Sequence, residues 1–404
     1  MVSRRALVCS SCGTKTVTRT GIGHDATQSH SFNCPGCKVE IRYTLRLDQA
    51  KGSIEYLVPT NATYAPDEDG AAQVLVFYPG VPVPDPTEPF LSPFVQAFRN
   101  FLDYDAYQKD EAARRQVIRQ DWPTLKRIAT HYRHGDWALY DKAFSQLTRQ
   151  PAEETVSGRR RQLASVLHIT FRRFTDLTPG VFPRLNQRFA YAYSKAPELV
   201  MGLLTDFVSD GRLERTWQEI SAVRDRFVTL YPHIQPLIAT RYWSAVNEVD
   251  TSIALPDKAF DLLRQFYVDA FETACRLLAP ALILESIIVD GTPTVRFGKN
   301  RLNLRQLYEL DNAPKVSLVK DMPIGDVFVS RLDSTLRNGL AHHAAHLDGE
   351  RDCVVFFTKA KNADRRHEIG YTQCCGKALA VFAALEAATV YFDTLDIAAI
   401  DVVP

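Results

Sequence analysis

Four cysteines near the beginning of the chain restrict its fold more than any other feature of the sequence. They form two pairs with C-x-x-C spacing, Cys9/Cys12 and Cys34/Cys37, and 21 residues separate the pairs. A tight turn can direct both thiolates of such a pair at one ion, and zinc prefers four soft or borderline ligands in a tetrahedron. The spacing therefore predicts that the four cysteines bind one structural Zn²⁺ per chain; redox-active or unconnected thiols are the alternative.

The region around the cysteines resembles a zinc ribbon, in which two zinc knuckles are joined by a β-hairpin. β-branched residues and turn glycines predict strands over residues 1–60. Because four thiolates leave no open coordination position, the zinc is expected to stabilise the fold rather than to catalyse, and His24 and His30 are not needed as ligands. Ribbons of this kind bind nucleic acid, bind protein or cap a domain, and the sequence leaves these roles open.

The composition is that of a globular protein. The chain has 404 residues, of which 46% are hydrophobic and 24% charged, and its net charge is +1. The length allows two or three domains, and any surface for nucleic acid must be a local patch because the whole chain is nearly neutral. The sequence contains no run of about 18 uncharged apolar residues and no apolar leader. We therefore expect neither a membrane span nor a secretion signal. The cysteine usage favours the cytoplasm.

Two regions with different patterns follow the cysteines. Residues 61–88 are rich in Pro, Asp and Gly, which predicts a semi-rigid linker with one short strand at 73–78. Residues 89–254 predict a helical domain, since apolar residues recur at every third or fourth position. Prolines such as Pro232 are expected at the ends of the helices. We expect eight to ten helices over residues 89–285.

Residues 255–404 form the last predicted domain. Its elements are a hairpin turn at Asp290-Gly291, a helix near 304–310, a helix through 325–346, strands at 352–359 and 367–373, and a closing helix over 376–398. The predicted fold class is therefore mainly α. It combines an N-terminal β region, a helical middle region and a C-terminal helical bundle with a small β-hairpin.

The helix predicted over residues 325–346 carries the sequence Arg337-Asn338-Gly339-Leu340-Ala341-His342. Arg-Asn-x-x-x-His, followed by two short strands and a long apolar helix, resembles the signature of the HEPN superfamily as found in abortive-infection and toxin proteins. The resemblance covers about residues 255–404. It implies a HEPN-like helical domain and an endoribonuclease that needs no metal for catalysis, acting in phage defence or a toxin-type stress response.

The chemistry of such a site is simple because RNA carries its own nucleophile, the 2′-hydroxyl. Cleavage needs a group that transfers protons and a group that stabilises the anion, and it leaves 2′,3′-cyclic phosphate and 5′-hydroxyl ends. The resemblance gives His342 the proton transfer and Arg337 the phosphate, with Asn338 assisting either group. Asp333 and His343 are accessory candidates.

The resemblance implies a dimer, and the spacing of the motif makes one useful. On a regular helix Arg337 and His342 lie five residues apart, about 140° around the axis, and do not face each other. Gly339 is expected to loosen the turn between them. HEPN ribonucleases usually dimerise, so that two Arg–His pairs line one cleft, and the resemblance implies the same homodimer here. It also implies a regulatory or antitoxin partner that restrains the activity.

Other interpretations of the chain stay open. Arg159, Arg160 and Arg161 form a basic patch that predicts a contact with the RNA backbone, although a solvated helix face explains the same pattern. The main alternative function is a non-catalytic HEPN and zinc-ribbon module that binds nucleic acid, a nucleotide or a protein. In a third interpretation the motif is a relic, and the middle helices carry the function.

Overall fold

A computed structural model of the chain describes residues 2–23, 25–48, 51–78, 80–81, 83, 87, 95, 98–244, 248–255, 257–341, 345–359 and 364–402. The fold is mainly helical, as predicted, with small β-sheets near the N-terminus and in the C-terminal region and with a long C-terminal helix. Its contacts define two compact units, each built from three segments. The first comprises Met1–Gln108, Thr229–Arg264 and Gly339–Gly376, and the second comprises Lys109–Val228, Gln265–Asn338 and Lys377–Pro404. The predicted domain boundaries stay predictions.

The N-terminal part of the first unit consists of short strands. They are β1 (Val2–Cys9), β2 (Lys15–Gly21), β3 (Thr27–Asn33), β4 (Glu40–Asp48), β5 (Ser53–Tyr56), β6 (Ala62–Ala65) and β7 (Gln73–Phe77). One sheet has the order β6-β1-β2-β7, and the other has the order β3-β4-β5. The strands β6 and β7 lie in the segment 61–88, where the sequence predicted a linker with one strand. β7 belongs to the first sheet because it pairs with β2 in parallel.

Apolar side chains of both sheets form a common core that includes Leu7, Ile41 and Phe77. His30 is buried in it, with ring centroids 5.3 Å from Tyr43 and 5.4 Å from Phe77. Neither ring nitrogen of His30 has a hydrogen-bond partner. Burial therefore lowers the pKa of His30 to about 4, although the charge of Asp257 partly opposes the shift. The histidine is a neutral part of the core.

A third sheet in the first unit follows the motif helix in sequence. Its strands are β10 (His346–Asp348), β11 (Cys353–Lys359) and β12 (Asp364–Gly370), and they pair antiparallel in that order. The strand predicted at 352–359 is confirmed. The strand predicted at 367–373 lies earlier in the chain, because the closing helix already begins at Tyr371.

Eight α-helices lie between residues 104 and 290 of the described chain, within the predicted range. They are α1 (Tyr104–Gln116), α2 (Trp122–His134), α3 (Trp137–Thr148), α4 (Val156–Arg172), α5 (Val181–Lys195), α6 (Pro197–Ser209), α7 (Leu213–Ala239) and α8 (Phe260–Asp290). A π-helical turn (Val117–Asp121) joins α1 to α2, and a 3₁₀ turn (Thr240–Trp243) follows α7. The short hairpin β8 (Val295–Phe297) and β9 (Asn300–Leu302) comes next, followed by α9 (Leu304–Glu309), α10 (Asn312–Lys320), α11 (Gly325–Phe328), α12 (Ser334–Ala341) and α13 (Tyr371–Val402).

The core of the second unit is built around the C-terminal part of α13. Phe382 stacks on Phe227 of α7 with ring centroids 3.9 Å apart, and Glu386 accepts two hydrogen bonds from the buried Arg224, at 2.9 and 2.8 Å. By length and composition, Tyr371–Val402 could cross a membrane. However, 89% of its most apolar window is buried, and the core helix of a globular protein passes the same test.

Two predictions from the sequence are wrong, one about a hairpin turn and one about a proline at a helix end. The expected hairpin turn at Asp290-Gly291 is the end of α8, where Gly291 has a positive φ of 67°. The preceding run is apolar and buried, which favours a core helix over an edge hairpin. Pro232 lies inside α7 rather than at its end, because burial of the flanking Tyr231 and Ile234 outweighs the lost hydrogen bond.

The helix predicted over 325–346 is interrupted. It consists of α11 and α12, and the carboxylate of Asp333 starts the second helix by accepting from the Leu336 amide at 3.0 Å. A capping side chain satisfies amides that have no partner within the helix, so a new helix begins at Ser334. Arg337 and Asn338 consequently lie in the first turns of a short helix.

Candidate functional site

Each cysteine pair is the turn of a β-hairpin. β1 and β2 flank the first pair, and β3 and β4 flank the second. The two turns have the same hydrogen bonds. Gly13 N donates to the Cys9 carbonyl and Lys38 N to the Cys34 carbonyl, each at 2.9 Å, and each of these carbonyls belongs to the first cysteine of its pair. The residue after each pair has positive φ, 74° at Gly13 and 65° at Lys38. The chain therefore forms the same knuckle twice.

The four thiols meet in one cluster, as the spacing predicted. All four sulfur atoms lie within 4.8 Å of one another, with Cys9 3.6 Å from Cys37 and Cys12 3.5 Å from Cys34. Four sulfurs at about 2.3 Å from a tetrahedral zinc would lie about 3.8 Å apart. The donor set and its spacing thus fit a metal ion, and no histidine of the described residues belongs to the cluster.

The electrostatics of the cluster also favour a cation. Hydrogen bonds to Thr14 lower the pKa of the Cys12 thiol to about 6. The Val39 amide lowers the pKa of Cys37, but desolvation and the neighbouring thiols raise it, to about 12. These opposite shifts arise because adjacent thiolates repel one another and therefore retain protons. A divalent ion would replace those protons and allow all four groups to ionise.

Close contact between the knuckles requires a glycine at position 36. A Cβ atom there would clash with the Thr14 hydroxyl and would lie 3.2 Å from the Cys12 sulfur. The Cys-Pro-Gly-Cys sequence of the second knuckle is thus matched to the first knuckle. Only hydrogen can occupy that space while the sulfurs remain in reach of one ion.

In the second unit, Arg337 belongs to a network of polar side chains. Its guanidinium pairs with Glu272 of α8 and donates to the Asn338 side-chain oxygen at 2.8 Å. Glu272 also accepts from the Asn312 amide at 2.6 Å. The Nε of Arg337 is buried without a partner, and burial lowers the pKa of this arginine. The network holds Arg337 in place and leaves part of its fork of donors available.

This network lines a cavity of about 550 Å³ in the second unit. The cavity is bounded by α8, by the segment from Tyr308 to Lys315 and by the beginning of α12. Arg276 and Lys315 line it together with Arg337, so three cationic groups surround the same space. Such a concave, mostly polar cavity suits a small anionic ligand or an anionic part of a larger one.

The other residues of the predicted site lie partly inside and partly outside the described residues. His342 and His343 lie outside the described residues, so their proton transfer and accessory function stay predictions. Asp333 caps α12 and lies 3.7 Å from the Lys377 ammonium. Gly339 was expected to loosen the helix. It has no positive φ, and the ring of Phe356 occupies the space that a Cβ would need.

The predicted RNA contact of the basic patch needs correction at one position. Arg160 is fully buried and pairs with two carboxylates of α13, so its side chain does not reach the surface. Arg159 is mostly buried and binds Asp141 at 2.9 Å. Only Arg161 is largely exposed, 3.8 Å from Asp401. Contacts of Arg159 and Arg161 with RNA stay predictions. Successive arginines on a helix point in different directions, so a run of three does not make one surface.

Sequence reasoning missed Glu272, Asn312, Arg276 and Lys315. They lie on α8 and α10, and no local motif connects them with Arg337. A charged residue inside an apolar helical pattern was the only signal available. Glu272 and Arg276 illustrate it, because both interrupt the apolar sequence of α8. The burial of Lys315, which is 3% exposed, became visible only in the structure.

Comparisons with family models, with curated proteins and with solved structures found no match for the chain. The assignment of a function therefore rests on the two sites themselves. One is a cluster of thiols with the geometry of a metal site. The other is a cationic cavity that includes the Arg-Asn pair of the motif.

Proposed function

We propose that the chain is a metal-independent endoribonuclease of the HEPN type that acts in phage defence or a toxin-type stress response. The observation that carries the proposal is the position of Arg337 and Asn338 on the wall of a cationic cavity. Three strands, β10 to β12, and a long apolar helix follow the motif in the chain, where the resemblance implies two short strands and such a helix. An arginine that stabilises a phosphate needs a concave site with other cations nearby, and Arg276 and Lys315 support the proposal because they line this cavity, although Glu272 and Asp311 line it as well.

The reaction proceeds by attack of the ribose 2′-oxygen on the adjacent phosphorus. The P–O5′ bond breaks, and the products are a 2′,3′-cyclic phosphate and a 5′-hydroxyl. His342 takes the proton from the 2′-hydroxyl, and the His342 of a second copy gives a proton to the leaving O5′. The Arg337 guanidinium stabilises the charge on the non-bridging oxygens, and Asn338 orients it through their hydrogen bond. Glu272 must share or release the guanidinium when the phosphate arrives.

The zinc site has a different role in the proposal. Cys9, Cys12, Cys34 and Cys37 hold one Zn²⁺, which stabilises the two knuckles and has no open position for a substrate. The donor set supports zinc, because four thiolates select soft or borderline ions. The protein acts in the cytoplasm as a homodimer, with RNA as substrate and with a regulatory or antitoxin partner that restrains it.

The test compares RNA cleavage by the zinc-loaded wild type, Arg337→Ala and His342→Ala. Total RNA and tRNA are incubated in buffer without divalent cations, and the ends are identified by mass spectrometry. A chelator is avoided because zinc loss would unfold the knuckles and imitate inactivity. Arg305→Ala is the matched control, since this arginine of the same unit is 80% exposed.

Wild type and Arg305→Ala are expected to cleave equally and to leave cyclic phosphates. The loss of a group that stabilises the transition state should slow Arg337→Ala by about 10²–10³-fold. His342→Ala should also lose activity. If both site variants cleave like the wild type, the assignment is wrong. If no form cleaves but RNA or nucleotides bind, the non-catalytic binding module replaces the ribonuclease.

A further inference from the structure

Lys315 of α10 is the least expected residue in the cationic cavity. Its side chain is buried, and its ammonium donates one hydrogen bond, to the Tyr308 carbonyl oxygen at 3.3 Å. No carboxylate of the described residues forms an ion pair with it. Burial lowers the pKa of Lys315, and the charges of Arg276 and Arg212 lower it further, while Cys275 and Asp311 oppose the shift. A buried ammonium without a counter-charge is costly, so proteins keep such groups chiefly where they bind something.

The neighbouring charges do not supply the missing anion. Arg276 pairs with Glu219, and Arg337 shares Glu272 with Asn312. Asp311 also lines the cavity and attracts the ammonium only at longer range. The acidic groups closest to the guanidinium groups are therefore already engaged, while Lys315 keeps two donors unused.

The first turn of α10 lines the same cavity. Amides in the first turn of a helix have no partners within the helix, and the helix dipole places a partial positive charge there. The side chain of Asp311, which precedes the helix, caps none of these amides. Pro314 has no amide hydrogen, and the Lys315 amide donates to the Asp311 carbonyl at 3.4 Å. The N-terminus of α10 therefore adds the Asn312 and Ala313 amides to the Lys315 ammonium, and such donors suit a phosphate.

We propose that this cavity binds a phosphate group and that Lys315 is its principal ligand, with Arg276 and Arg337 beside it. The inference rests in part on the proposed function, because Arg337 belongs to both. A volume of about 550 Å³ accommodates more than one phosphate, so the group belongs either to a nucleotide or to the backbone of an RNA strand. If the ligand is an RNA strand, the cavity holds a phosphate next to the phosphate at the cleavage site.

The test measures binding without cleavage on the full-length, zinc-loaded protein. The probes are inorganic phosphate, AMP and a 2′-O-methyl RNA oligonucleotide, which has no free 2′-hydroxyl and cannot be cut. Affinities come from calorimetry and fluorescence anisotropy for wild type, Lys315→Met and Lys320→Met. Lys320 is the matched control, because it lies on the same helix and is exposed.

Lys315→Met is expected to bind at least tenfold more weakly than the wild type, whereas Lys320→Met should be unchanged. Without ligand, the melting temperature of Lys315→Met should be equal or higher, because a buried charge is replaced by an apolar chain of similar length. Loss of AMP and phosphate binding would identify a nucleotide pocket. Loss confined to the oligonucleotide would identify an RNA subsite. Equal affinities of the two variants, or no binding by the wild type, would overturn the proposal.

Two further results separate the inference from the ribonuclease. Binding that depends on Lys315 in a protein without cleavage would support the phosphate site and reject the enzyme. Cleavage with an unchanged KM in Lys315→Met would support the ribonuclease and reject Lys315 as a phosphate ligand. If Lys315→Met does not fold, wild-type crystals soaked in tungstate decide the question. Density beside Lys315 supports the proposal, and its absence from the cavity contradicts it.

Discussion

The thiol cluster and the Arg337 cluster are both polar sites, but the chain assembles them in different ways. All four thiols come from two knuckles of similar sequence, and each knuckle is the turn between adjacent strands. Arg337 pairs with Glu272 of α8, and Glu272 in turn accepts from Asn312 at the start of α10. The residues of a site that is formed by two turns lie in two short stretches of the sequence. A site made between helices depends on packing that no short motif records.

The difference also concerns charge. In the thiol cluster four groups of the same potential charge converge, and retained protons or a bound cation relieve their repulsion. In the second cluster most charges compensate one another, and Lys315 alone lacks a paired carboxylate among the described residues. The first site thus fits a metal ion. In the second site, the proposed phosphate would supply an anion beside Lys315.

Removal of one thiol should produce the largest effect. Apparent binding free energies of structural zinc are about 10–16 kcal/mol, and much of this stabilises the fold. Cys34→Ser is expected to lose the bound zinc and to unfold the knuckles at lower temperature, measured by elemental analysis and circular dichroism. Cys353→Ser is the control, since this buried cysteine of β11 lies outside the cluster. One zinc per chain retained by Cys34→Ser would show that the cluster is not the metal site.

The buried His30 should make the cysteine region sensitive to acid. Its pKa is about 4 in the folded chain and near 6.5 when unfolded, so below pH 6.5 the unfolded state takes up a proton that the folded state refuses. The free energy of unfolding should fall by about 1.4 kcal/mol per pH unit down to pH 4, about 3 kcal/mol in all. Below pH 4 this contribution no longer changes.

The variant His30→Phe keeps an aromatic ring beside Tyr43 and Phe77 but cannot titrate. Protonation of the zinc ligands affects wild type and variant alike, so the difference between their denaturant curves isolates the histidine. We expect the stability of the variant relative to the wild type to increase as the pH falls from 6.5 to 5. Parallel curves over this interval would show that His30 gains a partner or is hydrated.

Substitution of Glu272 tests whether this carboxylate competes with phosphate for Arg337. Glu272→Gln removes the charge that competes for Arg337, so phosphate affinity should rise about two- to fivefold, as measured by calorimetry. The partly buried ion pair is lost as well, and the free energy of unfolding should fall by about 1–2 kcal/mol. Glu309→Gln is the control because Glu309 is exposed. An unchanged phosphate affinity would mean that Glu272 does not oppose anion binding.

The smallest effect should come from the backbone of the knuckles. Gly13 and Lys38 occupy equivalent positions with positive φ, which costs a residue with a Cβ about 1 kcal/mol. Lys38→Gly should therefore raise the free energy of unfolding by up to about 1 kcal/mol, and Gly13→Ala should lower it by a similar amount, both from denaturant curves of zinc-loaded protein. Effects of the same sign in the two variants would contradict the equivalence of the knuckles.

Much of the architecture was predictable because it depends on local patterns. The alternation around the cysteines, the periodic apolar residues of the middle region and the strand at Cys353–Lys359 each depend on neighbours in the chain. The errors occurred where burial overrode a local signal. Asp290-Gly291 reads as a hairpin turn but ends a core helix, and Pro232 reads as a helix end but lies within one.

Three results follow from the sequence alone: the four cysteines of the candidate metal site, the mainly helical class and the candidate motif of Arg337, Asn338 and His342. Tertiary structure decided that Arg160 is buried, that Glu272 holds Arg337 and that Lys315 lines the same cavity. The physical reason is the range of the interactions. A knuckle is determined by six consecutive residues and their hydrogen bonds, whereas contacts between helices depend on which faces the rest of the core leaves available.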